Sequence, residues 1–158
     1  MVERTLLGTT LGSGLAAGAA GTTALNAATY LDMALRARPA SSTPEESARR
    51  LAQSAGVSIP GNEEEQQNRL AGLGPLLGIG AGIATGLVLA AARAAGFKPG
   101  RVLGTLTAAA AAMAAGNAPM VVLKITDPRT WSATDWASDI LPHLAYGIAA
   151  DAVLRSQR

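Results

Sequence analysis

The sequence predicts an all-α membrane protein with four transmembrane helices and an amphipathic helix between the first and the second. Composition is the first observation behind this: 49% of the 158 residues are hydrophobic and 15% are charged, against about 25% charged in soluble domains. The second is that Thr5–Leu31, Leu70–Ala92 and Val102–Leu123 carry no charge over 27, 23 and 22 residues. Each can cross a hydrocarbon core of about 30 Å at about 1.5 Å per helical residue. The third is the lack of polar alternation, which excludes barrel strands and leaves helices as the structure that satisfies its own backbone in lipid.

One membrane domain follows, with spans at about 5–35, 68–95, 101–124 and 135–155 and an extramembrane segment at 39–66. Aromatics are only 3% of the chain, so packing falls to Gly, Ala and branched aliphatics. Cysteine is absent, which excludes disulfides, thiol nucleophiles, iron-sulfur ligation and cysteine zinc sites. The net charge is +2 with cations scattered along the chain, so no nucleic-acid partner is expected.

In the first span Thr22, Asn26 and Tyr30 recur every four residues, a polar stripe expected to face a neighbouring helix. Asp32 and Arg36 form an i,i+4 pair as the helix leaves the apolar region, and Arg38-Pro39 closes it. A signal peptide cleaved after Ala17-Gly18-Ala19 is the alternative for this segment. Gly8, Thr9, Thr10, Gly12 and Ser13 interrupt the apolar region it would need.

Thr43, Pro44 and Glu46 predict a capping box and a short helix ended by Gly56. Its stripe of Ala48, Leu51, Ala52 and Ala55 is expected on the membrane surface or on the bundle. A second box, Asn62 with Glu65, starts the second long helix in water with acids at its positive end. The segment Arg93–Arg101 makes a short basic turn to the third span, of the kind retained in the cytoplasm. Basic residues nevertheless divide seven against six between the two sides, so their number does not orient the chain. The fourth span contains Asp139, His143 and Asp151, with Trp131 and Trp136 where an aromatic belt would lie.

Gly74, Gly78, Gly82 and Gly86 form a ladder on the second span. Glycine costs about 1 kcal/mol relative to alanine inside a helix, so close helix contact is the expected reason. Gly8 with Gly12 and Gly14 with Gly18 are possible mates. Contact within the chain and self-association both fit. The run GLGPLLGIGAG lacks a preceding strand and a following Lys-Ser/Thr, so it is no phosphate loop. Pro75 is expected to bend the helix near its entry.

Gly116-Asn117-Ala118-Pro119 interrupts the third span, since proline leaves a carbonyl without its helical donor. Asp139, His143 and Tyr146 follow one another along a face around Pro142. With Asn26, Tyr30 and Asn117 they make the candidate polar intramembrane site, because an ionisable group inside a span needs a protein partner. His143, the only histidine, suits a proton relay with Asp139 at its mouth. The alternative is interhelical bonding of His143 to Asn26, Asn117 or a carbonyl freed by Pro142. Asp151 and Arg155 read as an end-of-helix ion pair. No metal spacing occurs, and Ser138, Asp139 and His143 are too close on one helix for a triad. No catalysis and no cofactor are expected.

The segments AAGAAGTTALNAATYLDMALRARPASSTPEE and DILPHLAYGIAADAVL resemble a group of small actinobacterial multi-span membrane proteins of unknown function. Asn26, Tyr30, Asp32, Arg36, Pro39, Thr43, Pro44, His143 and Tyr146 carry the resemblance. It implies a four-helix, multi-pass inner-membrane protein and brings no catalytic assignment.

The expected function is therefore a structural or accessory role in the bilayer, through self-association or as a subunit of a larger membrane complex. A small channel or transporter, proton-linked through Asp139 and His143, is the second expectation. A soluble alanine-rich bundle is the third.

Overall fold

Five helices follow from the start and stop signals in the chain. The computed structural model describes residues 2–157, with side chains from residue 8 onward. It contains α1 (Val2–Arg36), α2 (Thr43–Ser54), α3 (Glu63–Ala94), α4 (Arg101–Val122) and α5 (Ala133–Ser156), with a turn of 3-10 helix at Pro128–Thr130. No strand occurs among the described residues.

The capping box that starts α3 forms as its spacing predicts. Asn62 Oδ1 accepts from the Glu65 N–H at 3.0 Å, and the Glu65 carboxylate accepts from the Asn62 N–H at 2.8 Å. Ser132 and Asp135 start α5 with a second box. The box expected at Thr43 does not form. Ser42 takes an α-helical conformation and is the cap, without a side-chain bond, which carries Thr43 into the helix. The Thr43 N–H donates instead to Ser41 Oγ at 3.2 Å, and Glu46 pairs with Arg50 at 2.8 Å.

At the end of α2, Gly56 has φ +67° and the Val57 N–H returns to the Ala52 carbonyl at 2.9 Å. At the end of α3, Gly96 has φ +102° and the Phe97 N–H returns to the Ala92 carbonyl at 3.0 Å. Glycine takes this left-handed conformation without the Cβ clash of other residues.

The long helices alternate in direction. Gly14 of α1 lies against Leu87 of α3, and Gly18 against Ile83. Gly21 lies against Tyr146 of α5, while Arg36 reaches Ser138. Gly104 of α4 meets Asp151 of α5, and Asn117 meets Asp139. α1 thus sits between α3 and α5, α4 closes on α5 and more lightly on α3, and α2 lies on α3. One end of the bundle carries the α3–α4 turn and the end of α5. The other carries α2, the start of α3 and the α4–α5 loop.

α2 rests on the bundle, with Ala48 buried and Gly74 of α3 against the backbone of Pro44. A Cβ on Gly74 would lie 2.8 Å from the Pro44 carbonyl carbon. Helical structure continues through Pro75, Pro119 and Pro142. The Gly116–Pro119 interruption therefore does not end α4.

Of the four expected spans, α3 and α4 are long and apolar enough to cross a membrane, with mean hydropathies of 1.9 and 1.3 over their most apolar windows. α1 and α5 do not reach that apolarity: glycine and threonine dilute α1, and Asp139, His143 and Asp151 dilute α5. The core is thin and alanine-rich, built on Ala17, Leu89, Ala90, Ala108, Tyr146 and Ala150. Large apolar side chains face outward on all four long helices, among them Leu15, Leu76, Val88, Leu106 and Ile148. The accessible surface is 9655 Å², where about 7,300 Å² is expected for a folded soluble monomer of this mass.

The glycine ladder divides by direction. Gly82 and Gly86 face α1, Gly74 faces α2, and Gly78 meets nothing within 4 Å. This corrects Gly78 as an internal packing residue, because successive rungs four apart rotate about 40° around the helix at 3.6 residues per turn. Gly8 and Gly12 likewise meet nothing, whereas Gly14 and Gly18 are the mates of the ladder. Gly86→Ala, whose Cβ would overlap the Gly14 carbonyl and the Gly18 backbone, is expected to cost about 1–3 kcal/mol. Gly78→Ala should gain up to about 1 kcal/mol. Thermal unfolding of the two variants in detergent checks the contrast.

Candidate functional site

Three polar groups interrupt the apolar bundle. The first lies between α4 and α5. Asn117 Nδ2 donates to Asp139 Oδ2 at 2.8 Å, and His143 Nδ1 lies 2.7 Å from the carbonyl oxygen of Asp139. A carbonyl only accepts, so Nδ1 carries the proton and Nε2 holds the lone pair in the neutral ring. Nε2 faces Gly116, where a Cβ would stand 3.8 Å away. Asp139 Oδ1 is 3.4 Å from Nδ1, and the two side chains are 17% and 13% exposed. Protonation of the ring would turn this contact into an ion pair.

The expected site is thus only partly assembled. Asn117, Asp139 and His143 come together, while the other three residues go elsewhere. Tyr146 is fully buried and donates from its hydroxyl to the Gly82 carbonyl of α3 at 2.6 Å. Asn26 is half-buried and forms no hydrogen bond among the described residues. Tyr30 is 62% exposed, so the polar stripe of α1 does not face inward along its whole length. Thr22 alone is buried, its hydroxyl returning to the Gly18 carbonyl at 2.8 Å. His143 bonds neither Asn26 nor Asn117.

The second group closes the end that carries the α3–α4 turn. Asp151 is 2% exposed. It accepts from Arg155 Nε at 2.6 Å and from Arg93 of α3. Arg155 Nη2 also donates to the Pro99 carbonyl at 2.9 Å. This corrects the reading of Asp151 and Arg155 as a simple pair: the carboxylate ties α3, the α3–α4 turn and α5 together. Gly104 makes room for it, since a Cβ there would collide with Asp151. The space beside it measures 10 Å³, about enough for one water. The signal in the sequence was that Arg93 is the first charge after the second apolar stretch, and Asp151 is the nearest acid to the end of the chain.

The third group forms at the opposite end. Asp32 pairs with Arg36 as its spacing predicts, and Arg38 joins at 2.6 Å. Arg36 Nη2 donates onward to Ser138 Oγ at 2.5 Å, tying α1 to α5. Beside it, Trp131 of the α4–α5 loop meets Trp136 of the first turn of α5 edge to face at 4.9 Å, and Trp131 Nε1 donates to Thr126 Oγ1 at 2.8 Å. An open hollow of 710 Å³ lies along Val121–Arg129. There the Arg129 guanidinium holds the Asp127 carboxyl below its usual range. Neither hollow is lined by Asn117, Asp139 or His143.

No group of three or more metal-ligating side chains occurs among the described residues. The chain matches no family model, no curated protein and no solved structure.

Breaking a buried ion pair from one side costs about 3–5 kcal/mol, because it strands the opposite charge. Asp151→Asn is therefore expected to destabilise the bundle by that amount, while Asp127→Asn in the exposed loop leaves its melting temperature near that of the parent. Parallel thermal melts in detergent check both.

Proposed function

We propose that the chain is a small polytopic integral membrane protein with a structural or accessory role, self-associating or serving as a subunit of a larger membrane complex in the inner membrane. The observation that carries this reading is the direction of its apolar residues. Only 22% of the most apolar window of α3, and 17% of that of α4, is buried. A core helix of a soluble protein buries most of such a window, and here Leu73, Leu76, Leu77 and Ile79 are exposed on α3. Lipid or a neighbouring membrane helix removes that surface from water.

On this reading α1 and α5 complete a four-span bundle. About 35 Å of helix in α5 and about 50 Å in α1, at 1.5 Å per residue, exceed the hydrocarbon thickness, and Asn117, Arg93 and Gly82 on neighbouring helices satisfy Asp139, Asp151 and Tyr146 of α5. The resemblance carried by Asn26, Tyr30, His143 and Tyr146 points the same way. The accessory role is supported by the dominance of packing over chemistry. Close approaches at Gly14, Gly18, Gly82 and Gly86 hold the bundle, and Gly72, Gly78 and Gly80 of α3 meet nothing within 4 Å in the chain.

A second reading, a small proton-linked channel or transporter, is favoured by one observation: Asn117, Asp139 and His143 meet between two helices. Proteoliposome flux abolished by His143→Ala would support it, and a sealed vesicle with the parent protein would remove it.

Native mass spectrometry from nanodiscs tests the leading reading. The parent is expected as a homomer or heteromer that Gly78→Leu releases to single chains, because that side chain enters open space and leaves the fold intact. A lone, partnerless protomer for the parent would contradict an accessory role.

A further inference from the structure

The two ends of the bundle differ in charge. The end with α2 and the α4–α5 loop carries seven cations and nine carboxylates between Asp32 and Asp139. The end with the α3–α4 turn carries Arg93, Lys98, Arg101 and Arg155 against a single described carboxylate, Asp151. That carboxylate is buried and already shared by two guanidinium groups. Lys98 and Arg101 are exposed and pair with no described acid. α4 starts here with no side-chain cap and no acid in its first turn, which adds to the positive potential.

The apolar surroundings continue this arrangement. Phe97 stands exposed beside Lys98, and Val102, Leu103 and Leu106 line the outside of α4 directly beyond Arg101. Two cations at the tip of an apolar helical hairpin thus sit above a strip of outward aliphatic side chains. An amphiphile with an anionic head and acyl chains matches both halves, whereas free phosphate matches only one.

We propose that the α3–α4 turn is a binding site for the phosphate headgroup of an anionic phospholipid. Lys98 and Arg101 contact the phosphate, and the acyl chains lie along Val102, Leu103 and Leu106. The Arg93–Asp151–Arg155 cluster is a positioning group. Its buried carboxylate anchors the end of α5 beneath the turn, and its two guanidinium groups keep the local charge positive. Arg155 holds the turn through the Pro99 carbonyl, one residue from Lys98. The inference rests on the membrane reading given above.

The test uses the full chain in nanodiscs of phosphatidylcholine and phosphatidylglycerol in equal amounts, with retained lipids counted by native mass spectrometry. The parent is expected to retain phosphatidylglycerol selectively. Lys98→Gln and Arg101→Gln should each weaken retention about fivefold, the worth of one cation near an anionic surface. Arg49→Gln with Arg50→Gln at the opposite end should leave it unchanged. Equal retention of the two lipids by the parent, or undiminished selectivity in Lys98→Gln/Arg101→Gln, overturns the site. Carbonate washing of the parent separates the two failures. Release into the aqueous fraction removes the membrane reading and the site together, while firm retention without lipid selectivity removes the site alone.

Discussion

The backbone-to-backbone approach of α1 and α3 sets the rest of the bundle. Gly86 has the Gly14 carbonyl and the Gly18 backbone where a side chain would stand, so at that level the two helices meet backbone to backbone. That proximity brings Thr22 against Gly82, and the threonine hydroxyl is already satisfied by its own helix at Gly18. It also leaves room at Gly21 for the ring of Tyr146, whose hydroxyl passes α1 to reach the Gly82 carbonyl. Three helices therefore register at one level through glycine, threonine and a single tyrosine. Dispersion between close backbones and one hydrogen bond hold that level, which suits surroundings where hydrophobic burial between helices offers little drive.

Three carboxylates at helix junctions each have partners. Asp151 is enclosed by Arg93 and Arg155, Asp32 by Arg36 and Arg38, and Asp139 by Asn117 and His143. Each cluster joins two helices or more, so charge supplies the specificity that an alanine core lacks. The arrangement also divides the ends chemically. One is balanced and carries the tryptophans, and the other closes on the buried Asp151 with basic residues around it.

Local signals in the sequence were read with most success where they depend on backbone geometry alone. Asn62 with Glu65 and the glycine at 56 fix helix ends through bonds to near neighbours, and both act as their spacing requires. The pairs Gly14 with Gly18 and Gly82 with Gly86 were legible because four-residue spacing keeps two rungs nearly on one face. Within the chain the ladder does not extend to Gly78, since facing depends on where the partner ends, and α2 takes the place of α1 at Gly74. Thr43 failed as a cap because Ser42, one residue earlier, takes the cap position and Ser41 Oγ accepts from the Thr43 N–H. The meeting of Arg93 with Asp151, 58 residues apart, and of Tyr146 with Gly21 depends on tertiary arrangement. No periodicity within one helix encodes either. For the candidate site, Asn117, Asp139 and His143 could be gathered from proline positions and apolar context. Tyr146 shares their helix face in projection, yet it turns toward α1 and α3.

An apolar exterior over a thin, polar-clamped interior inverts the usual distribution of a water-soluble bundle. The measurement that tests this most directly is collision accessibility of spin labels at Leu76, Val88, Leu106 and Ile148, one on each of four outward positions, with Gln67 as the reference in the first turns of α3. In proteoliposomes the account predicts frequent collisions with oxygen and rare collisions with a water-soluble nickel complex at the four apolar positions, and the reverse at Gln67. Nickel collisions at Leu76 and Val88 as frequent as at Gln67 would place α3 in water and contradict a membrane-embedded bundle.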